Sequence, residues 1–152
     1  MAHALRNGVI AGAVGTVALY TVTYLDMAVR GRAASSLPER TAGELARRAG
    51  VDLGEREVAE HREEGLGPLL GLLTGVGTGV GYGLFRRMAP RVPAALAAAG
   101  VGAAAAVAGN APMTALGLTD PREWGLQGWL SDLIPHLAYG AATVAAYEAI
   151  DS

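Results

Sequence analysis

Residues 65–85 read GLGPLLGLLTGVGTGVGYGLF, twenty-one positions without a charged side chain, closed by Arg86 and Arg87. At roughly 1.5 Å of rise per residue such a run covers a hydrocarbon core of about 30 Å, so it predicts a transmembrane helix. Its glycines say more than its length. Gly71, Gly75, Gly79 and Gly83 recur every fourth residue, with Gly77 and Gly81 on a neighbouring row. Repeated at that spacing, glycine makes a flat groove along one helix face, in which a second backbone can sit at close range. The stretch therefore predicts an all-α fold: a polytopic membrane helical bundle with glycine-rich packing faces.

Working outward, residues 8–25 (GVIAGAVGTVALYTVTYL) are also uncharged and end at Asp26, Arg30 and Arg32. They predict a first span over about 8–29, with Gly8, Gly12 and Gly15 as packing positions. No small-residue cleavage site followed by a polar start succeeds it, so it reads as uncleaved. On the other side, Arg91 and Pro93 complete a tight turn, and residues 92–119 carry no charge. The span predicted there is 93–113, with Gly100, Gly102 and Ala106 on its packing face and Pro112 marking a kink or the exit from the core. The last apolar run, 133–147, is shorter and contains Pro135 and His136. With Ser131 as helix cap and Ile150 included, it predicts a fourth span over 131–150, the alternative being a re-entrant or surface helix. The whole chain, 1–152, reads as a single membrane domain with four transmembrane helices and spans at about 8–29, 65–85, 93–113 and 131–150.

Residues 30–64 change character completely, with seven Arg against eight Asp and Glu. They predict an extramembrane charged helical loop. Ser36, Leu37, Pro38 and Glu39 form a helix start, Gly50 an end, and a second charged helix over about 55–64 runs toward the next span. The charge suits a solvated helical surface or a partner-docking loop. Residues 119–130 read as an interfacial segment in which Trp124 and Trp129 are anchors, because an indole has an apolar body and one donor. Arg count favours the 30–64 side as cytoplasmic, but Arg86, Arg87 and Arg91 crowd a very short turn on the other side.

Composition bounds the function. Apolar residues make up 51% of the chain but aromatics only 5%, and mean hydropathy is +0.30. Ala, Gly, Leu and Val suit helices that approach closely in lipid. A net charge of −2 lacks the basic excess a nucleic-acid binder needs. With no cysteine, disulfides, thiolate metal sites and cysteine nucleophiles are excluded. All twelve basic residues are Arg, which reads as the codon bias of a high-GC bacterial genome. There is no G-x-S-x-G, no Walker loop and no H-E-x-x-H. The reading is therefore of no enzyme, no cofactor and no metal.

Polar groups at membrane depth are costly and are the default functional candidates. Asp132, His136 and Tyr139 fall at i, i+4 and i+7, on one helical face, and Asn110 in the third span is within reach of it if the spans are adjacent. Such a face can sense or relay protons through an imidazole that titrates near neutral pH. The plainer reading is that Asp132 caps its helix and His136 bonds a carbonyl. Asp26, at the end of the first span, reads as an interfacial or paired carboxylate.

Residues 111–140, APMTALGLTDPREWGLQGWLSDLIPHLAYG, resemble the signature region of the YagU-like small inner-membrane proteins. The resemblance is carried by Pro112, Met113, Gly117, Leu118, Thr119, Pro121, Trp124, Ser131, Asp132, His136 and Leu137. The first span's TYLDM-x-x-RGR ending is similar to that of a group of four-span actinobacterial membrane proteins. Pro135 stands where the family commonly has Gly, and the 30–64 loop has no counterpart in it. The resemblance implies an inner-membrane protein with a tie to acid tolerance. Two functions follow as expectations: a structural or accessory membrane protein that binds a partner or a second copy of itself, or a small proton-linked transporter or channel using the polar face of the fourth span. The expected location is the bacterial cytoplasmic (inner) membrane, multi-pass, with the lipid bilayer as the first partner.

Overall fold

The structure is a computed structural model and describes residues 1–151. Its elements are α1 (Ala2–Arg30), α2 (Leu37–Arg48), α3 (Arg56–Met88), α4 (Ala94–Ala115), a 3-10 turn at Pro121–Glu123, and α5 (Gly125–Asp151). No strand occurs among the described residues. α1 stops at Gly31, whose φ of 63° lies in the left-handed region and turns its N–H back onto the Met27 carbonyl. α2 carries Pro38 and Glu39 in its first turn and Arg47 and Arg48 in its last, each suited to the helix dipole there. α3 runs unbroken from the charged residues 56–64 into the apolar stretch, so its 33 residues extend about 50 Å at ~1.5 Å each and overhang any hydrocarbon core.

Helices α1, α3 and α4 are long and apolar enough to cross a membrane; α5, 27 residues long, is not among them, because no membrane-length stretch of it is apolar enough. The four long helices run up and down in chain order around a ring, with α5 closing onto α1 and the thinnest packing between α3 and α4. Antiparallel pairing is explicit in the contacts: Gly8 lies against Gly79, Gly12 against Gly75, and Ala4 against Gly83. α2 folds back along the overhanging turns of α3, with Gly43 against Glu63 and Gly67 against the backbone of Glu39.

The side-chain distribution is inverted relative to a water-soluble bundle. The buried residues are mostly small or polar, among them Ala4, Ala11, Ala97, Ala105, Ala106, Asn7, Thr16 and Thr143, with Val101, Val144, Tyr82, Tyr139 and Tyr147 as the larger ones. The outer surface holds the large aliphatics: Val17 is 65% exposed, Leu73 70% and Val107 66%. Soluble proteins rarely expose apolar surface so continuously, whereas a bundle facing lipid has every reason to. α5 shares the pattern, turning Leu133, Ile134 and Leu137 outward and Tyr139 and Thr143 inward.

Two local expectations change. Ser131 caps nothing: α5 begins six residues earlier, at Gly125 (φ 62°), and the Ser131 hydroxyl instead accepts from the Arg30 guanidinium of α1. The interfacial segment 119–130 is not a separate helix but the 3-10 turn plus the opening turns of α5. Pro112 lies inside α4, which continues to Ala115 with the Thr114 hydroxyl bonded to the Asn110 carbonyl.

Candidate functional site

Close approach of α4 and α5 builds the site. Gly102 lies against the His136 carbonyl, and Gly140 against Ala98 and Gly102, with no room for a Cβ at either. At that separation the Asn110 amide donates to Asp132 Oδ2 at 3.0 Å. One turn on, His136 Nδ1 sits 2.7 Å from the Asp132 carbonyl and 3.5 Å from its Oδ1. The Asp132 and His136 side chains are 18% and 16% exposed, so the cluster is largely withdrawn from the surface. With Nδ1–H donating to the carbonyl, Nε2 is left as an acceptor, facing Gly109. A carboxylate held by an amide beside an imidazole is an arrangement able to take up and release a proton.

Tyr139 does not join these three. It is 1% exposed and crosses the interior to α3, where its hydroxyl donates to the Gly75 carbonyl. The hydroxyls of Thr78 and Thr143 lie beside it, and Thr16 bonds the Gly12 carbonyl nearby. The four expected residues therefore divide into a cluster of three between α4 and α5 and one phenol a turn deeper.

The glycine row divides as well. Gly75 and Gly79 meet Gly12 and Gly8 backbone to backbone, and Gly83 meets Ala4. Gly71 leaves room for the Tyr20 hydroxyl, which donates to the Pro68 carbonyl. Gly77, Gly81 and Gly100 face open space. Trp124 donates from Nε1 to the Thr119 hydroxyl at 2.7 Å, and its ring lies 5.1 Å from that of Trp129. Asp26 is paired with Arg30 and Arg32 at 3.1 and 2.6 Å.

A second polar group at the opposite end of the bundle was not expected. Asn7, 2% exposed, donates to Asp151 at 2.9 Å and accepts from the Arg6 guanidinium. Arg86 bridges Glu148 at 2.9 Å and the Val92 carbonyl. Between them Tyr82 packs edge-on against Tyr147, centroids 5.2 Å apart, and the Tyr147 hydroxyl donates to the Gly83 carbonyl. The signal was present: Thr143, Tyr147 and Asp151 continue the spacing of Asp132, His136 and Tyr139 along the same helix.

Outside the bundle, Glu44 accepts from Arg47 and Arg48, and these hydrogen bonds pull its carboxyl down to about 2. Two surface concavities lie on that side, one between α2 and residues 50–54, the other beside the 3-10 turn; neither is lined by Asn110, Asp132 or His136. Among the described residues no group of three His, Cys, Asp or Glu side chains is arranged to hold a metal.

Fold and site together define an all-helical bundle with three helices of membrane-crossing length and an inward-facing polar cluster. No family model matches the chain, and neither a curated protein nor a solved structure matches it.

Proposed function

We propose that this is a small four-span protein of the bacterial cytoplasmic membrane with a structural or accessory role, presenting its charged helical hairpin to a membrane protein partner. The observation that carries the reading is the α2–α3 hairpin. It is rigidly continuous with a membrane-length helix and clipped to it at Gly43 and Gly67, so a partner bound there is held at a fixed distance from the bilayer. The bundle beneath reads as closed to solutes, because the row of Gly75, Gly79 and Gly83 is engaged by its own helices and Tyr139 and Tyr147 fill the interior. Support for α5 as the fourth span is that its polar groups turn inward or are paired, while Leu133, Ile134, Leu137 and Ile150 face out.

A photo-crosslinking residue at Arg40 or Glu57 tests the partner role in cells. The reading expects one discrete crosslinked species, lost when the hairpin charges are reversed and absent when the probe is at Leu73. No species from either hairpin position contradicts it.

A second reading, a small proton-linked transporter, is favoured by the convergence of Asn110, Asp132 and His136. It expects gradient-driven flux in vesicles that His136→Ala or Asp132→Asn abolishes. Flux that persists in both variants sinks it.

A further inference from the structure

Six polar side chains lie along one stripe of α5: Asp132, His136, Tyr139, Thr143, Tyr147 and Asp151. Steps of three or four residues keep them on one helical face. From first to last the stripe measures about 29 Å at ~1.5 Å per residue, close to the thickness of a hydrocarbon core. The neighbouring helices add polar groups to it at each level: Asn110 at one end, Thr78 and the Gly75 carbonyl in the middle, then the Gly83 carbonyl and Tyr82, and Asn7 at the other end.

Helix cohesion alone would give each of these groups a well-formed partner within the protein, and two lack one: the Tyr82 hydroxyl, and Thr143 Oγ1, which lies beside the Tyr139 hydroxyl. The Tyr82 hydroxyl and Thr143 Oγ1 are buried without a well-formed hydrogen bond, in residues 3% and 0% exposed. Thr143 is in the stripe and Tyr82 packs against its Tyr147; lipid supplies no partner to either hydroxyl, which leaves water as the candidate one.

We propose that the α5 stripe, hydrated at Thr143 and Tyr82, is a proton path across the bilayer. A bundle closed to solutes is not closed to protons, since a proton moves by exchange along hydrogen bonds while its carriers stay in position. Entry is at Asp132 and His136. Each water or hydroxyl along the stripe then accepts one proton and releases another, so one O–H bond forms as one breaks and no carrier is consumed. Exit is at Asp151 and Glu148. The charged groups facing the two ends are Arg30, at Ser131 and paired with Asp26, and at the other end Arg6, Arg87 and Arg86, the last paired with Glu148. This goes beyond the accessory role and rests on the same polar face of α5 as the proton-linked transporter or channel reading, sharing Asp132, His136 and Tyr139 with it and extending it to Thr143, Tyr147 and Asp151.

The test is full-length protein in phosphatidylethanolamine–phosphatidylglycerol vesicles with an entrapped pH dye and a potassium diffusion potential. Wild type is expected to admit protons faster than empty vesicles. Thr143→Val and Tyr82→Phe, near-isosteric changes that remove the two hydroxyls without a well-formed hydrogen bond, are expected to return the rate to the empty-vesicle leak, as is Tyr139→Phe. Tyr20→Phe, outside the stripe, is expected to keep the wild-type rate. A wild-type rate equal to that of empty vesicles overturns the proposal, and so does undiminished flux in folded Thr143→Val and Tyr82→Phe. Flux lost in His136→Ala but kept in those two variants leaves the transporter reading standing and removes the stripe. Hairpin crosslinking is expected to be unaffected throughout, which separates failure of the path from failure of the accessory role.

Discussion

Two glycines two residues apart, and so on opposite faces of α3, have opposite roles. A Cβ at Gly79 would collide with backbone atoms of Gly8 and Gly12, which cannot yield as a flexible side chain can, whereas one at Gly77 meets nothing. Gly79→Ala is expected to cost about 1–3 kcal/mol by forcing α1 and α3 apart. Gly77→Ala is expected to stabilise by about 0.5–1 kcal/mol, since alanine loses less conformational freedom in a helix than glycine. Reversible unfolding in mixed detergent micelles reads both. For the Asn110–Asp132 hydrogen bond, a double-mutant cycle with Ala at each position should return a coupling of about 0.6 kcal/mol, the usual size for such a bond between membrane helices. A coupling of zero would mean that the two side chains do not depend on one another. The four-residue spacing made the inner glycine row legible in the sequence, but spacing carries no address, so the partner helix was not. Tyr139 shows the same limit: its face was readable, yet the reach of a phenol took its hydroxyl past Asp132 and His136 to α3.

At the scale of elements, the α2–α3 hairpin was largely legible. Ser36 to Glu39 marked a helix start, Gly50 an end, and the second charged segment does run straight on into the apolar helix. The origin of α5 was not, because Ser131 offered a cap signal within an already formed helix while Gly125 supplied the actual turn. The hairpin also carries a pH dependence with a definite sign. Glu44 is lowered from its model-peptide value of 4.5 to about 2, so its contribution to folding is complete above 4.5 and is lost as the pH falls toward 2. Carboxyl carbon NMR of the full-length protein should find the Glu44 midpoint near 2 at low ionic strength. Concentrated salt should move it back toward the ordinary glutamate range, because its Arg partners are exposed. A midpoint that ignores Arg47→Ala and Arg48→Ala would show that these bonds do not set it.

For the molecule as a whole, the claim on which everything else depends is that α5 crosses the bilayer beside α1, α3 and α4. Composition made three helices of membrane-crossing length plain, since long uncharged runs need no partner to be recognised. The proposed fourth span, α5, was harder to read because of the same residues that give it interest: Asp132, His136 and Glu148 lower its hydropathy, and their pairing is a tertiary fact that no average over sequence contains. The chain has no cysteine, so single introduced thiols are unambiguous reporters. The most direct measurement is labelling of such thiols by a membrane-impermeant maleimide in intact and opened cells: His3→Cys, Ser35→Cys, Gln127→Cys, and a cysteine appended to the C-terminus. Four crossings require residue 3 and the appended cysteine to react from one side and residues 35 and 127 from the other. An appended cysteine reacting from the same side as residue 127 would mean that α5 does not cross, and would remove both the four-span bundle and the proton path along it.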